Sequence, residues 1–376
     1  MKQRLKKYRK IFNTLVSSNK CLLILFCRLH IRKTKLDYKI WGEYNFANEV
    51  SRNFNLFLSA KELKDEKLKR KLTEDIVRCY WLYGAIPNEY FMFDFRHKTD
   101  TQRAEWLTVK QKDELCIAKM GNGWREKFME IENKAQFYRT TKQFFKRDVC
   151  IVEKEEDESQ FLDFVQKHPR FIQKPLMGQC GRGTSIMEYN AKETELHKIF
   201  DSLVKEGGYI LEELIQQDKW TSQWNESSVN TVRIPSIRVI DSNSNKTNFV
   251  ILQPFFRNGR SGQVVDNGGS GGIFASIDPV SGKIISDACN EMGHRYAKHP
   301  DSNIVYKGQN IPRWNELVTL TKEIHSLLPV YHKYIGFDFA LTSKGWVLIE
   351  ANWGQFVGQY SSNTSLRKQF ENLMNQ

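Results

Sequence analysis

The stretch "IGFDFALTSKGWVLIEANWG", residues 335–354, decides the fold, because two apolar runs flank the turn TSKG and predict a β-hairpin. Glu350 and Asn352 are two residues apart, so a strand places both side chains on one face. Pairing across the turn can bring Asp338 opposite them. Carboxylates among apolar residues cost several kcal/mol unless they are paired or bound to a metal. This oxygen-ligand set suits Mg²⁺ with nucleotide phosphates; the alternative is a surface hairpin whose polar residues face water.

A second pair of acids follows an apolar strand in "YILEELIQ", residues 209–216. One of any two neighbours in a strand points inward, so either Glu212 or Glu213 faces the interior. A glutamate or backbone amides at such a position can read the edge of an adenine. The alternative is a solvated pair of glutamates where the strand ends.

A glycine-rich loop lies upstream in "FIQKPLMGQCGRGTSIMEYN", residues 171–190. Lys174 ends a predicted strand directly before the loop, and lysine binds phosphate as a point charge. Glycines permit backbone turns with positive φ, in which several N–H groups point toward an anion. The order strand–GxxxxGK[ST]–helix is missing, so this is not a Walker A loop. The alternative is a glycine-rich hairpin turn.

The rest of the chain predicts separate runs of helices and strands. Helical periodicity predicts a long helix over 59–85 and a further helix over 131–145. The second half is rich in strands, and a turn cluster between 231–240 and 248–257 predicts a hairpin. This order predicts an α+β protein rather than a repeating βαβ series.

The positive charge of the chain is concentrated at its start. The 376 residues carry a formal net charge of +13, from 57 Lys and Arg against 44 Asp and Glu. Residues 1–40 contain twelve of the basic residues and one acidic residue, so the other 336 residues are nearly balanced. A groove for nucleic acid normally puts positive charge on the folded body, so we expect no nucleic-acid partner.

Two features indicate where the chain works. The seven cysteines contain no C-x-x-C pair, which is typical of a reducing compartment such as the cytoplasm. Residues 1–30 combine a basic amphipathic pattern with the apolar run CLLILFC, which at seven residues is too short to span a bilayer. Such a segment can lie on an anionic membrane surface, here the inner face. The alternative is a helix that covers the core with its charges in water.

In this order, the lysine with its glycine loop, the glutamate strand and the Asp…Glu-x-Asn hairpin resemble the ATP-grasp superfamily. The resemblance covers about residues 130–355, and segments such as "SVNTVRIPSIRV" and "GQNIPRWNELVTL" are similar to its sugar-transfer-associated subgroup. It implies an α+β ATP-grasp fold in which two α+β lobes enclose ATP, preceded by a mainly helical region. The implied domains are a basic arm at 1–40, a helical region at 41–130, and lobes at 131–215 and 216–376.

The resemblance also implies roles for individual residues in binding ATP and Mg²⁺. Asp338, Glu350 and Asn352 match the magnesium ligands, and Arg233 and Arg238 match basic positions that face the reacting phosphate. Gly336 stands where the alanine-ligase branch has an arginine, and we assign that role to Arg233. The ribose contact stays open between Gln216, Asp218 and neither. Lys134 and Lys174 match the phosphate-binding lysines. The loop residues Gly178, Gly181, Arg182 and Gly183 match the flap over the triphosphate. The adenine contacts are matched by Glu212, Glu213 and Leu214.

The implied reaction is ATP-dependent joining of a carboxylate to an amine through an acyl phosphate. The subgroup's link to sugar transfer suggests an amino acid joined to a uronic acid for capsule or cell-surface polysaccharide. The alternatives are a small-molecule or sugar kinase on the same fold and a non-catalytic nucleotide-binding scaffold tethered to a membrane. The candidate substrate residues are Arg257, Arg260, Asn267, Gly269, Ser270 and His294.

Overall fold

The structure is a computed structural model that describes residues 35–36, 44–178, 183–189, 193–241, 246–262, 271–354 and 357–376. The described chain forms two compact units. The first comprises the described residues up to Glu114 together with Glu291–His294 and Asn363–Phe370. The second comprises the described parts of Leu115–Asn290, Arg295–Ser362 and Glu371–Gln376. The predicted boundaries at residues 130 and 215 subdivide this second unit and stay predictions.

The described chain from residue 44 to residue 120 is mainly helical. Large aromatic side chains fill the core of the first unit, and Phe46, Tyr90 and Phe95 are almost completely buried there. Two-residue strands β1 and β2 precede the helices. The elements are β1 Lys35–Leu36, β2 Tyr44–Asn45, α1 Phe46–Phe57, α2 Ala60–Leu63, α3 Glu66–Tyr83, α4 Pro87–Met92, α5 Asp100–Ala104 and α6 Val109–Met120.

The prediction of a single helix over 59–85 was wrong, because two helices occupy this segment. Ser59 and Glu62 exchange side-chain and backbone hydrogen bonds that cap α2. The carboxylate of Asp65 then accepts a hydrogen bond from a backbone amide one turn later and begins α3. Gly84, with a φ of 74°, ends α3 as predicted. Capping side chains thus interrupt a stretch whose apolar period is continuous.

The first sheet of the second unit has four antiparallel strands. Its strands are β3 Val149–Val152, β4 Arg170–Pro175, β5 Ser185–Glu188 and β6 Tyr209–Glu213. They lie in the order β3-β6-β4-β5. The helices that accompany this sheet in the sequence are α7 Trp124–Glu132, α8 Lys134–Thr141, α9 Glu158–Lys167 and α10 Glu193–Lys205.

Alternation along β6 assigns its residues to two faces of the first sheet. Leu211 packs with Phe171 and with the aromatic residues of α9 and α10. Ile210 packs on the other face with Ala135 of α8. Lys174 pairs directly with Ile210, and Glu212 lies two residues further along β6, so both charged side chains share the α8 face.

The second sheet has eight antiparallel strands and carries the C-terminal hairpin. Its strands lie in the order β12-β11-β10-β9-β7-β13-β14, and β8 also pairs with β7. The elements are β7 Thr231–Ile240, β8 Thr247–Ile251, β9 Phe255–Asn258, β10 Ile273–Ser276, β11 Ala288–Cys289, β12 Arg295–Tyr296, β13 Tyr334–Thr342 and β14 Gly345–Asn352, with helices α11 Lys219–Ser222, α12 Trp314–Leu327, α13 Val357–Ser362 and α14 Arg367–Asn375.

The predicted hairpin of 231–240 with 248–257 forms, but its second strand is interrupted. β8 and β9 both pair with β7, and the chain between them turns at Gln253, whose φ is 50°. Pro254 follows and has no N–H to donate to the ladder, which explains the interruption. Separate runs of helices and antiparallel strands confirm the predicted α+β class.

The described residues also bear on the expectations about cellular setting. None of the helices in this part of the chain is both long and apolar enough to cross a membrane. Cys79, Cys116, Cys150 and Cys289 are buried free thiols. The basic arm lies outside the described residues except for 35–36, so its contact with a membrane stays a prediction.

Candidate functional site

Acidic and basic side chains form a row across the second sheet. The register pairs Asp338 of β13 with Glu350 of β14 on one side and with Arg233 of β7 on the other. Residues that pair directly across antiparallel strands share a face of the sheet, so the three side chains lie side by side. Asn352 pairs with Gly336 and lies on this face too. We call Asp338, Glu350, Asn352 and Arg233 the charged row.

A β-bulge at Ile349 orients the charged row. Asp338 pairs with Glu350, whereas Phe339 pairs with Leu348, so Ile349 has no partner on β13. In a regular strand Leu348 and Glu350 would share a face. The bulge places them on opposite faces, with Leu348 fully buried in the core and Glu350 beside Asp338.

Asp338 is the centre of the ion pairs in the charged row. Its Oδ1 accepts a hydrogen bond from Arg233 Nε at 2.6 Å, and its Oδ2 accepts from Arg233 Nη2 at 2.5 Å and from Arg257 Nη1 at 2.8 Å. Burial would raise the pKa of the Asp338 carboxyl, but Arg233 and Arg257 hold that pKa below its usual value. Asp338 is therefore ionised at neutral pH.

The side chain of Arg233 passes close to Gly354 and lies at ordinary contact distance from Gly336. A Cβ atom on Gly354 would lie 3.0 Å from Arg233 Nη1 and 2.8 Å from Asn352 Oδ1. A Cβ atom on Gly336 would lie 3.8 Å from Arg233 Cδ. Gly354 also donates its N–H to Asn352 Oδ1 at 2.7 Å, which orients the amide. Arg233 thus lies directly beside Gly336, the position at which the alanine-ligase branch carries its arginine.

The oxygen atoms of the charged row fit the expected Mg²⁺. Asp338 and Glu350 pair directly across β13 and β14, so their carboxylates lie close together on one face of the sheet. A bound cation would offset the repulsion between two neighbouring carboxylates. Hard divalent cations take carboxylate and amide oxygens, and Asn352 offers an amide oxygen on the same face. The residues present are therefore a suitable donor set for this cation.

Lys134 connects the glycine loop to the charged row. It begins α8 and donates a hydrogen bond from Nζ to the Gly178 carbonyl at 2.9 Å. Burial lowers the pKa of Lys134, Glu350 acts in the opposite direction, and Lys174 adds to the lowering. The helix α8 also contacts β14, so the predicted phosphate-binding residue Lys134 begins a helix that packs beside the strand of Glu350 and Asn352.

Glu212 is held by two cations at the centre of the first sheet. Its Oε1 accepts a hydrogen bond from Lys174 Nζ at 2.7 Å, and its Oε2 accepts from Arg147 Nε at 3.0 Å and from Arg147 Nη2. Burial would raise the pKa of the Glu212 carboxyl, but Arg147 and Lys174 lower it to about 2. Sequence reasoning missed Arg147, because nothing in FKRDV, residues 145–149, sets it apart from other basic residues.

The other predicted adenine contacts lie at the end of β6. Glu213 faces away from Glu212, and its carboxylate accepts a hydrogen bond from the Asp148 amide at 3.1 Å. The Glu213 amide donates to the Asp148 carbonyl at 3.0 Å, so the sheet already uses this N–H. Leu214 follows the strand and is half-buried. The roles of both residues toward adenine stay predictions.

The structure describes the two ends of the glycine loop. Gly178 and Gly183 have φ values of 131° and 74°, which L side chains rarely adopt. A Cβ atom on Gly183 would also lie 2.8 Å from Pro175 Cγ, so both conformation and space require glycine there. Gly181 and Arg182 lie outside the described residues, and their contact with a triphosphate stays a prediction.

Arg238 is not brought to the charged row. It lies five residues after Arg233 on β7, and strand alternation puts the two side chains on opposite faces. There its guanidinium donates to the carbonyls of His325 and Leu328 at 2.6 and 2.7 Å, where α12 ends. The expectation that Arg238 faces the reacting phosphate is therefore corrected, and this arginine stabilises a helix terminus instead.

Among the candidate substrate residues, Arg257 lies at the charged row through its hydrogen bond to Asp338. Arg260 instead pairs with Asp301, with 3.0 Å between its Nε and the carboxylate. His294 is exposed and belongs to the first unit. Asn267, Gly269 and Ser270 lie outside the described residues.

Several solved structures are similar to this chain over part of its length, but their TM-scores are low. This protein covers between 44% and 61% of the length of three solved chains. These are an L-amino acid ligase from Bacillus licheniformis (10% identity, 63% of this chain and 44% of that chain, TM-score 0.37), a D-alanine–D-alanine ligase from Helicobacter pylori (14% identity, 65% and 61%, TM-score 0.35) and the ATP-grasp ligase PsnB complexed with its minimal precursor, Mg and ADP (12% identity, 67% and 61%, TM-score 0.36).

A family model matches most of the sequence of this chain. A search of curated proteins found no match. The model described as sugar-transfer associated ATP-grasp matches residues 122–375, which is more than half of the 376 residues. This match confirms the predicted ATP-grasp fold and the predicted subgroup. The chain therefore belongs to the sugar-transfer associated ATP-grasp family.

Proposed function

We propose that the chain is an ATP-dependent carboxylate–amine ligase that works through an acyl phosphate. The observation that carries this proposal is the charged row, where Asp338 lies against Glu350 and is bound by Arg233 and Arg257. A cation site next to two arginines matches what phosphoryl transfer to a carboxylate needs, because that reaction depends on positioning and on charge neutralisation. Membership of the family supports ATP as the phosphoryl donor.

The nucleotide side of the proposed site consists of residues from the first sheet and α8. Lys134 and Lys174 bind the phosphates as point charges, and the loop that runs from Gly178 to Gly183 covers the triphosphate. The strand segment from Glu212 to Leu214 contacts the adenine. The buried Lys174–Glu212 pair supports this assignment, since it holds the lysine at a fixed point on the α8 face.

The acceptor side of the proposed site consists of Arg233 and Arg257. Mg²⁺ bound by Asp338, Glu350 and Asn352 would supply charge neutralisation for the phosphates. The two arginines orient the acceptor carboxylate, whose oxygen bonds to the γ-phosphorus as ADP leaves. An amine then forms a bond to the acyl carbon, phosphate leaves, and the amine loses a proton to give the amide.

The acceptor we propose is a uronic acid or a similar sugar acid, and the amine is an amino acid. The product would be an amide in capsule or cell-surface polysaccharide, made at the cytoplasmic side of the membrane. The description of the family as associated with sugar transfer supports this choice.

A screen of ADP release tests the proposal. Uronic acids are combined with amino acids in the presence of Mg²⁺ and ATP, and products are identified by mass spectrometry. We expect ADP release to require both substrates and the product mass to equal their sum minus water. ADP release with a stable phosphorylated sugar and no amine requirement would indicate a kinase. Calorimetry that shows no binding of Mg-ATP would exclude ATP as the phosphoryl donor, and either result contradicts the ligase.

We further propose that residues 1–30 bind an anionic membrane surface. Their excess of Lys and Arg beside the apolar run CLLILFC supports this, because basic charge and apolar area add in interfacial binding. The full chain should co-sediment with vesicles that contain anionic lipid and should dissociate at high salt. A variant that lacks residues 1–30 should stay in the supernatant, and undiminished sedimentation of that variant would contradict the proposal.

A further inference from the structure

Arg147 is a buried arginine for which neither the sequence patterns nor the family resemblance suggests a role. Its side chain is 5% exposed. Nε and Nη2 donate to Glu212, and Nη1 donates to the carbonyls of Leu348 at 2.7 Å and Phe145 at 3.1 Å. The guanidinium also lies 4.8 Å from the centroid of the Phe145 ring. Protein groups thus engage all three guanidinium nitrogens, which makes Arg147 suited to positioning other residues rather than to touching a ligand.

The first consequence of this arrangement concerns the charge on Lys174. Glu212 uses one carboxylate oxygen for Lys174 and the other for Arg147, so two positive charges face one buried negative charge. If Arg147 were neutral, Lys174 alone among the described residues would form an ion pair with that carboxylate. Charge interactions are strong where water is excluded. Lys174 would then be less able to attract a second anion such as a phosphate.

The second consequence concerns the strand that carries Glu350 and Asn352. Leu348 lies on β14 immediately before the bulged residue Ile349. The hydrogen bond from Arg147 therefore satisfies a carbonyl at the point where the ladder is irregular. Through this bond the same guanidinium connects the Glu212–Lys174 pair of the first sheet to the strand of the charged row.

We propose that Arg147 is a positioning residue that compensates Glu212, so that the charge of Lys174 stays available for the phosphates of ATP. The inference rests on the proposed function, because it takes ATP as the ligand. It assigns no contact with ATP to Arg147 itself. Its effect should therefore appear in the binding of phosphates, depend on Glu212, and spare the binding of the base.

Calorimetry with three probes tests the proposal: Mg-ATP, Mg-tripolyphosphate as a phosphate-only probe, and adenosine as a base-only probe. Arg147→Met should weaken Mg-ATP and Mg-tripolyphosphate about 10- to 100-fold, the range of one charge-assisted contact, and change adenosine affinity less than about twofold. Arg147→Lys keeps a positive charge and should recover part of the loss. Equal losses for all three probes would indicate a merely structural role and overturn the proposal, as would unchanged binding of all three.

The Glu212→Gln background provides a second test, which applies even if Arg147→Met alone does not fold. Without the carboxylate, Lys174 loses the buried ion-pair partner that the described residues provide, so adding Arg147→Met should change tripolyphosphate affinity less than about twofold. A further loss of tenfold or more in this background would overturn the proposal. If the wild-type chain does not bind Mg-ATP at all, the proposed function fails. If the wild type binds Mg-ATP but the Arg147 variants do not show the expected differences among the three probes, only the inference about Arg147 fails.

Discussion

Replacing Glu350 with Gln should reduce ADP release by about 10²- to 10³-fold, the effect typical of removing one preorganised electrostatic group from an active site. Glu350 supplies the second carboxylate beside Asp338, and its amide analogue has the same shape without the charge. Because a cation ligand is weakened, the remaining turnover should need a higher Mg²⁺ concentration. The measurement is ADP release as a function of MgCl₂ at saturating ATP.

Glu323→Gln is the matched control for Glu350→Gln. Glu323 is an exposed residue of α12, and the same change there should leave both turnover and Mg²⁺ dependence at the wild-type level. Thermal unfolding of both variants separates loss of activity from loss of fold. Wild-type turnover and Mg²⁺ dependence in Glu350→Gln would rule out the charged row as the cation site.

Lys174→Met should weaken Mg-ATP binding by about 10- to 100-fold, since it removes one charge-assisted contact to phosphate. The substitution keeps the length of the side chain. It also leaves Glu212 bound to Arg147, so the buried carboxylate retains a counter-ion and the fold should persist. Calorimetric titration with Mg-ATP measures the loss.

Lys198→Met is the corresponding control, because Lys198 is exposed on α10. This control should bind Mg-ATP like the wild type. Adenosine should bind the Lys174 variant nearly as well as the wild type, since the lysine is assigned to phosphates and not to the base. Undiminished Mg-ATP affinity in Lys174→Met would contradict the assignment of the strand and glycine loop to the triphosphate.

Local patterns were sufficient to predict most of the elements that carry the site. The two apolar runs around TSKG predicted the hairpin, and the spacing of Glu350 and Asn352 placed them on one face. These predictions succeeded because a two-residue period and a tight turn are properties of neighbouring residues. Periodicity failed over 59–85, where the cap made by Asp65 begins a second helix and divides the predicted helix into two.

The partners of the charged side chains could not be predicted in this way. Arg233 and Arg238 are equivalent basic residues of one strand in the sequence, yet Arg233 binds Asp338 and Arg238 binds the end of α12. Because side chains alternate along a strand, Arg233 and Arg238 must lie on opposite faces of the sheet. Only the pairing of β7 with β13 decides which of the two meets the acids.

The sequence by itself determined the α+β class, the order of the motifs and the identity of the acids and lysines, because these depend on local spacing and composition. The tertiary structure alone decided that Ile349 bulges, which turns Glu350 toward Asp338 and Leu348 into the core. It also brought Arg147 to Glu212 across 65 positions of the chain. Contacts of this kind depend on strand register and on the burial of charge, which local spacing does not encode.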